Sequence, residues 1–229
     1  MIAPADQDVR RRFRGYSGAR PDVLRLVRGS PRNVLDVGCG AGLTGGLLRE
    51  RHPGLVTIGI EADPELAQLA QQRMDKVVVG AVDAPEIQSA LAALGPFDLI
   101  VCADVLEHLI DPAATLGNLR GMLAPGGMII TSIPNVRHFS TFVSLGLLGT
   151  WPMRDRGIHD RTHLRFFARR DILALGSAAG LVSLQERRNL RLVESAAWTM
   201  YAAKALDFWP LRGFLTFQYL HLWSADVST

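Results

Sequence analysis

Short runs of apolar residues recur along the chain, and segments with helical spacing of apolar side chains separate them. Runs this brief and this rich in Val, Ile and Leu are typical of buried strands. Their alternation with helices predicts an α/β fold built on a doubly wound, mostly parallel sheet. The first five strands are predicted at residues 34–37, 55–60, 76–79, 99–103 and 128–133, and a sixth follows a helix end at residues 178–184.

The first run ends in a turn with three alternating glycines, Gly38, Gly40 and Gly42, and a helical pattern begins at Leu43. Glycine lets the backbone turn sharply and approach a ligand, and the N-terminus of the next helix directs its N–H groups at whatever is bound. We therefore expect a nucleotide-like ligand here. Leu43 replaces the third glycine of a dinucleotide fingerprint, and the carboxylate of Asp36 would repel a pyrophosphate. The pattern disfavours NAD and favours a ligand with a positive group.

The second run ends at an acidic residue, Glu61. In a doubly wound sheet, ligands bind at the carboxyl ends of the strands, and an acidic residue about 20 positions after the glycines accepts hydrogen bonds from ribose hydroxyls. Glu61 is therefore a candidate ribose ligand. Asp63 and Pro64 then predict the start of a helix, as its N-cap and its first helical residue.

The stretch from Asp36 to Gly42 resembles the first motif of the class I methyltransferases that use S-adenosylmethionine, a ligand with an ammonium, a sulfonium and no phosphate. The resemblance extends over residues 34–180, including the Pro-Gly-Gly turn before the fifth strand. It implies S-adenosyl-L-methionine as cofactor and a Rossmann-like, doubly wound, seven-stranded sheet. The antiparallel last strand of that fold corresponds here to residues 214–223.

The same resemblance suggests positions for the rest of the cofactor. Asp83 stands where the family places a carboxylate that accepts from the adenine amino group, and Ala84 supplies the adjacent N–H. Asp104, at the end of the fourth strand, is placed to face the methionine part or the acceptor. The predicted cofactor-binding residues are Asp36, Gly38, Cys39, Gly40, Gly42, Glu61, Ala62, Asp83, Ala84 and Asp104.

Residues 135–168 are predicted to form an inserted lid over the active site. This segment resembles a subgroup of methyltransferases met in sugar and polysaccharide modification. Because methyl transfer to a hydroxyl needs a base, we expect the catalytic residues among His159, Asp160, His163 and His108. The alternative is that the lid groups only hold the lid down by hydrogen bonds. If the base lies elsewhere, Asp104 is a further candidate.

No metal site is predicted. His159 and His163 are four residues apart, a spacing that could hold an ion if the segment were helical. Arg161 places a fixed positive charge between them, and no Cys accompanies them. We therefore expect a reaction without a metal.

The sequence favours O-methylation of a sugar or glycan precursor by in-line displacement, with a His or Asp as general base. Two alternatives stay open: a small-molecule methyltransferase of the quinone or natural-product type, and an inactive cofactor-binding module. The polar lid argues against the module, which would have little use for it.

Composition changes this interpretation little. The chain of 229 residues is 48% hydrophobic, which suits one domain over residues 1–229 with an N-terminal helical cap at about 1–30. A net charge of +3 does not require a nucleic-acid partner; the small cluster Arg10, Arg11, Arg12 and Arg14 is interpreted as a solvated face.

Cys39 and Cys102 are interpreted as packed thiols.

Neither a signal peptide nor a membrane span is expected, so the sequence predicts a cytoplasmic protein. The apolar segments 139–149 and 192–209, the second predicted to be helical, are candidates for peripheral contact with lipid or for packing on a second subunit as a homodimer.

Overall fold

The computed structural model describes residues 18–193 and 196–225. Most of the predicted N-terminal cap, including the four clustered arginines, lies outside the described residues. The described part of the cap contains one short helix, α1 (Pro21–Leu24). A tight turn follows it, in which the backbone N–H of Leu26 donates to the carbonyl of Val23.

Seven strands form one sheet, as predicted. Its order is β3-β2-β1-β4-β5-β7-β6; neighbours from β3 to β5 pair in parallel, and β7 pairs antiparallel with both β5 and β6. The strand order reverses between β1 and β4, where ligands of such sheets bind. The strands are β1 (Asn33–Val37), β2 (Val56–Glu61), β3 (Lys76–Val79), β4 (Phe97–Ala103), β5 (Leu123–Pro134), β6 (Val182–Leu190) and β7 (Thr216–Ser224).

Helices cover both faces of the sheet, because successive side chains of each buried strand point to opposite sides. On one face, Leu35 and Ile100 pack in a cluster with apolar residues of the helices at 85–92, 112–121 and 169–178. On the other face, Val34 and Leu99 pack with α1 and with the helix at 43–51. The helices are α2 (Leu43–Arg51), α3 (Pro64–Ala70), α4 (Pro85–Ala92), α5 (Pro112–Gly121), α6 (Phe139–Thr141), α7 (Arg169–Ala178), α8 (Met200–Ala205) and α9 (Arg212–Leu215).

Local sequence signals explain where two helices begin. The Asp63 side chain accepts hydrogen bonds from the N–H groups of Glu65 and Leu66, which confirms the predicted N-cap of α3. At the start of α7, Ala168 offers no capping side chain. Its own N–H instead donates to Asp171 Oδ2 over 2.8 Å, so half of a capping box is present.

The prediction of a helix at residues 192–209 was too long. Thr199 Oγ1 accepts from the N–H groups of Leu192 (3.1 Å) and Val193 (3.2 Å), so a side chain takes the place of helical carbonyls there. Among the described residues of this segment, 192–193 and 196–209, helical structure is confined to a 3₁₀ turn at Ala197–Thr199 and to α8.

Both apolar segments are largely solvent-exposed. Leu148 of the lid is 69% exposed, and Trp198 and Trp209 near α8 are 77% and 85% exposed. Contact of these segments with lipid or a second subunit stays a prediction. Across residues 18–193 and 196–225, no helix combines the length and apolar character needed to span a bilayer.

Candidate active site

A cavity of about 560 Å³ lies at the carboxyl ends of β1 to β4, beside the reversal in strand order. Its volume falls within the range of small-molecule sites, roughly 300–1,000 Å³. Parallel pairing of the four strands brings the predicted residues to this one edge. Those that line the cavity are Asp36, Gly38, Cys39, Glu61, Ala62, Asp83, Asp104 and His108.

The glycine turn forms one wall. Gly38 lines the cavity at a φ of +65°, a left-handed conformation that disfavours any residue with a Cβ. Gly42 has a φ of +73° and packs against α3, where an added Cβ would lie 2.9 Å from the Cα of Ala70. Gly40 and Gly42 are not among the described lining residues. They shape the turn, whereas Gly38 and Cys39 form its surface.

Both Cys39 and Cys102 are buried free thiols, as predicted. Burial and the nearby carboxylates raise the pKa of Cys39 and keep its thiol protonated. We assign Cys39 a packing role at the wall.

Glu61 is fixed at the end of β2 by two backbone donors. Its Oε2 accepts from the N–H of Gly40 over 2.8 Å, and its Oε1 accepts from the N–H of Asp63 over 3.0 Å. The carboxylate therefore couples β2 to the glycine turn while it lines the cavity. Each oxygen keeps further acceptor capacity for a ligand hydroxyl.

Asp36 carries the strongest signal for a cationic ligand. It lines the cavity but is 3% exposed, and no donor among the described residues reaches its Oδ2. Burial, reinforced by the negative charge of Glu61, raises the pKa of Asp36 to about 7, although Arg20 and the N–H of Gly45 act in the opposite direction. A buried acceptor of this kind fits a ligand that brings positive charge, such as an ammonium or a sulfonium.

The charged side chains that line the cavity are mostly acidic. Among the described lining residues, five carboxylates face one guanidinium, that of Arg20. The Arg20 side chain is largely buried and takes part in an ion-pair network. The carboxylates are Asp36, Glu61, Asp63, Asp83 and Asp104.

Arg20 is a site residue that the sequence analysis missed. Its guanidinium pairs with Asp104 and with Asp22, and its Nη2 donates to Ser132 Oγ over 2.8 Å and to Gln218 Oε1 over 3.1 Å. Gln218 also donates to Asp104. The network fixes Asp104, which has a φ of +61°, at the carboxyl end of β4.

His108 lines the cavity and is tied to the lid. Its Nδ1 lies 3.2 Å from the carbonyl oxygen of Thr162 and 3.0 Å from Thr162 Oγ1. Asp160 Oδ1 in turn accepts from Thr162 Oγ1 (2.6 Å) and from its N–H (2.9 Å). Asp160 thus orients Thr162, a lining residue, and is itself buried away from the wall.

The other two predicted catalytic residues do not line the cavity. His159 is fully buried, with its Nε2 3.1 Å from Thr141 Oγ1 and its ring against Trp151. His163 Nδ1 lies 3.1 Å from the carbonyl oxygen of Ile158. Residues 158–163 form turns and no helix, so His159 and His163 do not share a helix face.

The two predicted adenine contacts behave differently. Asp83 lines the cavity. The N–H of Ala84 donates to the carbonyl of Ala81 over 3.1 Å, because Ala84 closes the turn that leads into α4. Ala84 is therefore absent from the described wall, and Ala81 lines it instead.

Comparison with known proteins agrees with this geometry. A family model described as a methyltransferase domain matches residues 9–186. The ubiquinone biosynthesis O-methyltransferase of Cereibacter sphaeroides is 31% identical over 174 residues, covering 74% of this chain and 68% of that protein. The trans-aconitate 2-methyltransferase of Methylobacterium radiotolerans is 33% identical over 113 residues, but the match spans 49% of this chain and 42% of that protein.

The fold is shared with solved methyltransferases. The N-methyltransferase NodS from Bradyrhizobium japonicum, solved with S-adenosyl-L-homocysteine, superposes with a TM-score of 0.54 at 18% identity, covering 96% of this chain and 87% of that chain. The acidic side chains of the cavity and the buried Asp36 oxygen fit the methylated form of that ligand, S-adenosylmethionine, which carries a sulfonium. The chain therefore belongs to the methyltransferase-domain family and is a class I methyltransferase that uses S-adenosyl-L-methionine.

Proposed function

We propose that this enzyme methylates a hydroxyl group of a small molecule. The observation that carries the proposal is the composition of the cavity beyond the glycine turn, where the apolar side chains of Val105 and Leu109 lie beside His108 and Thr162. An apolar wall with a few polar groups suits an apolar ring that bears a hydroxyl better than a fully hydroxylated sugar. The quinone-type alternative is therefore preferred to the sugar acceptor, and the ubiquinone O-methyltransferase relative supports this choice.

Different residues of the cavity would bind different parts of the cofactor. Glu61 would accept from the ribose hydroxyls, Asp83 from the adenine amino group, and Asp36 would stabilise positive charge in the methionine part. Arg20 also lines the cavity, and its guanidinium would attract the carboxylate of the ligand. When bound, the cofactor supplies an electrophilic methyl group on sulfur.

The acceptor must lose a proton as its oxygen is methylated. We assign this step to the end of the cavity that His108 lines. A carbonyl oxygen only accepts, so the contact with the carbonyl of Thr162 places the imidazole proton on Nδ1 and leaves the lone pair on Nε2. His108 is thereby oriented to receive a proton or to bind a Lewis acid.

A transfer assay tests the proposal. The purified chain is incubated with S-adenosylmethionine labelled in the methyl group and with three acceptor classes: catechol-type phenols that carry an apolar chain, dicarboxylates, and free or nucleotide-linked sugars. We expect label on a phenolic oxygen, identified by mass. Transfer to sugars with none to the phenols would restore the acceptor that the lid suggested. Cofactor binding without transfer to any class would favour the binding module.

Replacing Glu61 by glutamine should weaken cofactor binding by about 1.5–3 kcal/mol, because hydrogen bonds to a charged acceptor contribute about that much. Calorimetric titration with S-adenosylhomocysteine measures the change. Glu186, a carboxylate on β6 that pairs with Arg169, gives the matched control Glu186→Gln, which should bind normally. Unchanged affinity in Glu61→Gln would remove Glu61 from the ribose.

A further inference from the structure

From the geometry we infer a binding site for a divalent transition-metal ion formed by Glu107, His108 and His163, at the acceptor end of the cavity. This inference rests on the proposed function for its role but not for its existence. Glu107 and His108 lie in the turn after β4, and His163 lies in the lid, so a bound ion would connect these two segments. The sequence pointed to a different pair, His159 and His163, and to no metal.

The three side chains already converge. One potential ligand atom from each lies within 4.8 Å of the other two, and His163 Nε2 is 4.0 Å from Glu107 Oε1. Ligands around a tetrahedral zinc ion with bonds of about 2.0–2.1 Å stand roughly 3.4 Å apart. Inward movement of about 1 Å would therefore complete the set, which is within the reach of side-chain rotation.

The surroundings of Glu107 indicate a missing cation independently of the distances between the three side chains. It is 1% exposed, and neither of its carboxylate oxygens has a hydrogen-bond partner among the described residues. A buried, unpaired carboxylate is costly unless a proton or a cation compensates it.

The surrounding charges also favour a cation. The described groups that act electrostatically on Glu107 are the carboxylates of Asp104 and Asp160 and the guanidinium of Arg20. Arg20 is already paired with Asp104 and Asp22. With Glu107 ionised, these three carboxylates face one guanidinium, whose direct partners are Asp104 and Asp22 and not Glu107.

Both imidazoles are oriented as metal ligands usually are. His163 Nδ1 lies 3.1 Å from the carbonyl oxygen of Ile158, and His108 Nδ1 lies 3.2 Å from that of Thr162. Since a carbonyl oxygen only accepts, each Nδ1 carries the proton and each Nε2 carries the lone pair. Donation of the second ring N–H to a backbone carbonyl is the common outer-shell arrangement around metal-bound histidine.

Two imidazoles and one carboxylate suit zinc and other first-row divalent ions and are a poor set for magnesium or calcium, which prefer oxygen ligands. An acceptor hydroxyl bound to the ion would lose its proton to solvent more readily. The resulting oxygen forms the new bond to carbon as the bond from carbon to sulfur breaks. The ion would also tie the lid to the turn that carries His108.

The test measures metal uptake directly. Tag-free protein is dialysed against chelator and titrated with Zn²⁺, with metal content determined by mass spectrometry. We expect one equivalent, and Co²⁺ at the same stoichiometry should give the visible absorption of a low-coordinate site. Glu107→Gln and His163→Ala should each weaken Zn²⁺ binding by about 100-fold or more, because loss of outer-shell partners alone costs about 10–100-fold.

His52→Ala is the matched control. His52 follows α2, does not line the cavity and contributes no ligand, so this variant should bind Zn²⁺ like the wild type. The metal site is refuted if the wild type takes up no stoichiometric ion, or if folded Glu107→Gln and His163→Ala bind as tightly as the wild type. Should Glu107→Gln fail to fold, His163→Ala decides alone. Cofactor binding by the chelated protein is measured separately, so failure of the metal site and failure of the proposed function are distinguishable.

Discussion

Replacement of His108 by alanine is expected to lower turnover by about 10²–10⁴, the contribution of a positioned group that handles a proton, while cofactor affinity stays unchanged. His108 is the imidazole among the described lining residues, and Thr162 fixes its tautomer. The expected loss is the same whether the imidazole takes the proton itself or holds an ion that promotes ionisation. Steady-state rates with the acceptor found in the transfer assay give the value, and calorimetry checks the cofactor.

His159→Gln provides the comparison within the lid. The glutamine amide can replace the ring Nε2 near Thr141, and the buried side chain lies away from the wall, so turnover should remain within a few-fold of the wild type. Thermal unfolding shows whether the variant is folded. If folded His159→Gln lost turnover as severely as His108→Ala, the chemistry would belong to the lid, as the sequence suggested. If neither variant were impaired, Asp104 would become the next candidate.

The part of the site that the sequence predicted is the part controlled by local patterns. A short apolar strand that ends at Asp36 and Val37, followed by Gly38, can be recognised from neighbouring residues alone. Glu61 follows from the rule that parallel strands present their carboxyl ends at one edge. Because strand pairing is parallel from β1 to β4, these residues meet without further information.

The part that was missed depends on pairings between distant positions. Arg20 reaches Asp104, Ser132 and Gln218, which come from three different strands or their ends. Nothing near Arg20 in the sequence indicates those partners. The lack of a hydrogen-bond donor to the Glu107 carboxylate among the described residues is likewise a property of packing, since it depends on where His163 of the lid comes to lie.

The two lid histidines, His159 and His163, point in different directions for a local reason that their spacing cannot reveal. The N–H of Arg154 donates to the carbonyl of His159, and the N–H of Arg161 donates to the carbonyl of Arg154, so the backbone folds back on itself. Gly157, with a φ of +88°, makes this turn possible. A spacing of four residues places two side chains together in a helix, and in this loop it sends His159 toward Trp151 and His163 toward His108.

Replacement of Asp36 by asparagine should weaken binding of S-adenosylmethionine by about 2–4 kcal/mol, roughly 30-fold to 1,000-fold, because a buried charge loses its ionic partner. Calorimetry at pH 7.5 measures this. Asp98→Asn is the matched control; Asp98 lies on β4 outside the cavity and accepts from the N–H groups of Arg32 and Asn33. Equal affinity in Asp36→Asn and Asp98→Asn would exclude Asp36 as the counter-charge.

The same replacement, which weakens cofactor binding, should make the free protein more stable than the wild type as the pH rises. The carboxyl of Asp36 has a pKa of about 7 in the folded protein and about 3.9 when unfolded, so the folded state binds its proton more tightly. Its stabilising contribution is complete below pH 4 and is lost as the pH rises through 7. Asparagine does not titrate. Thermal unfolding should therefore show Asp36→Asn gaining on the wild type between pH 5 and pH 8. Saturating cofactor should remove this gain, because its positive charge stabilises ionised Asp36. A difference between the two proteins that is independent of pH would contradict the assignment of this titration to Asp36.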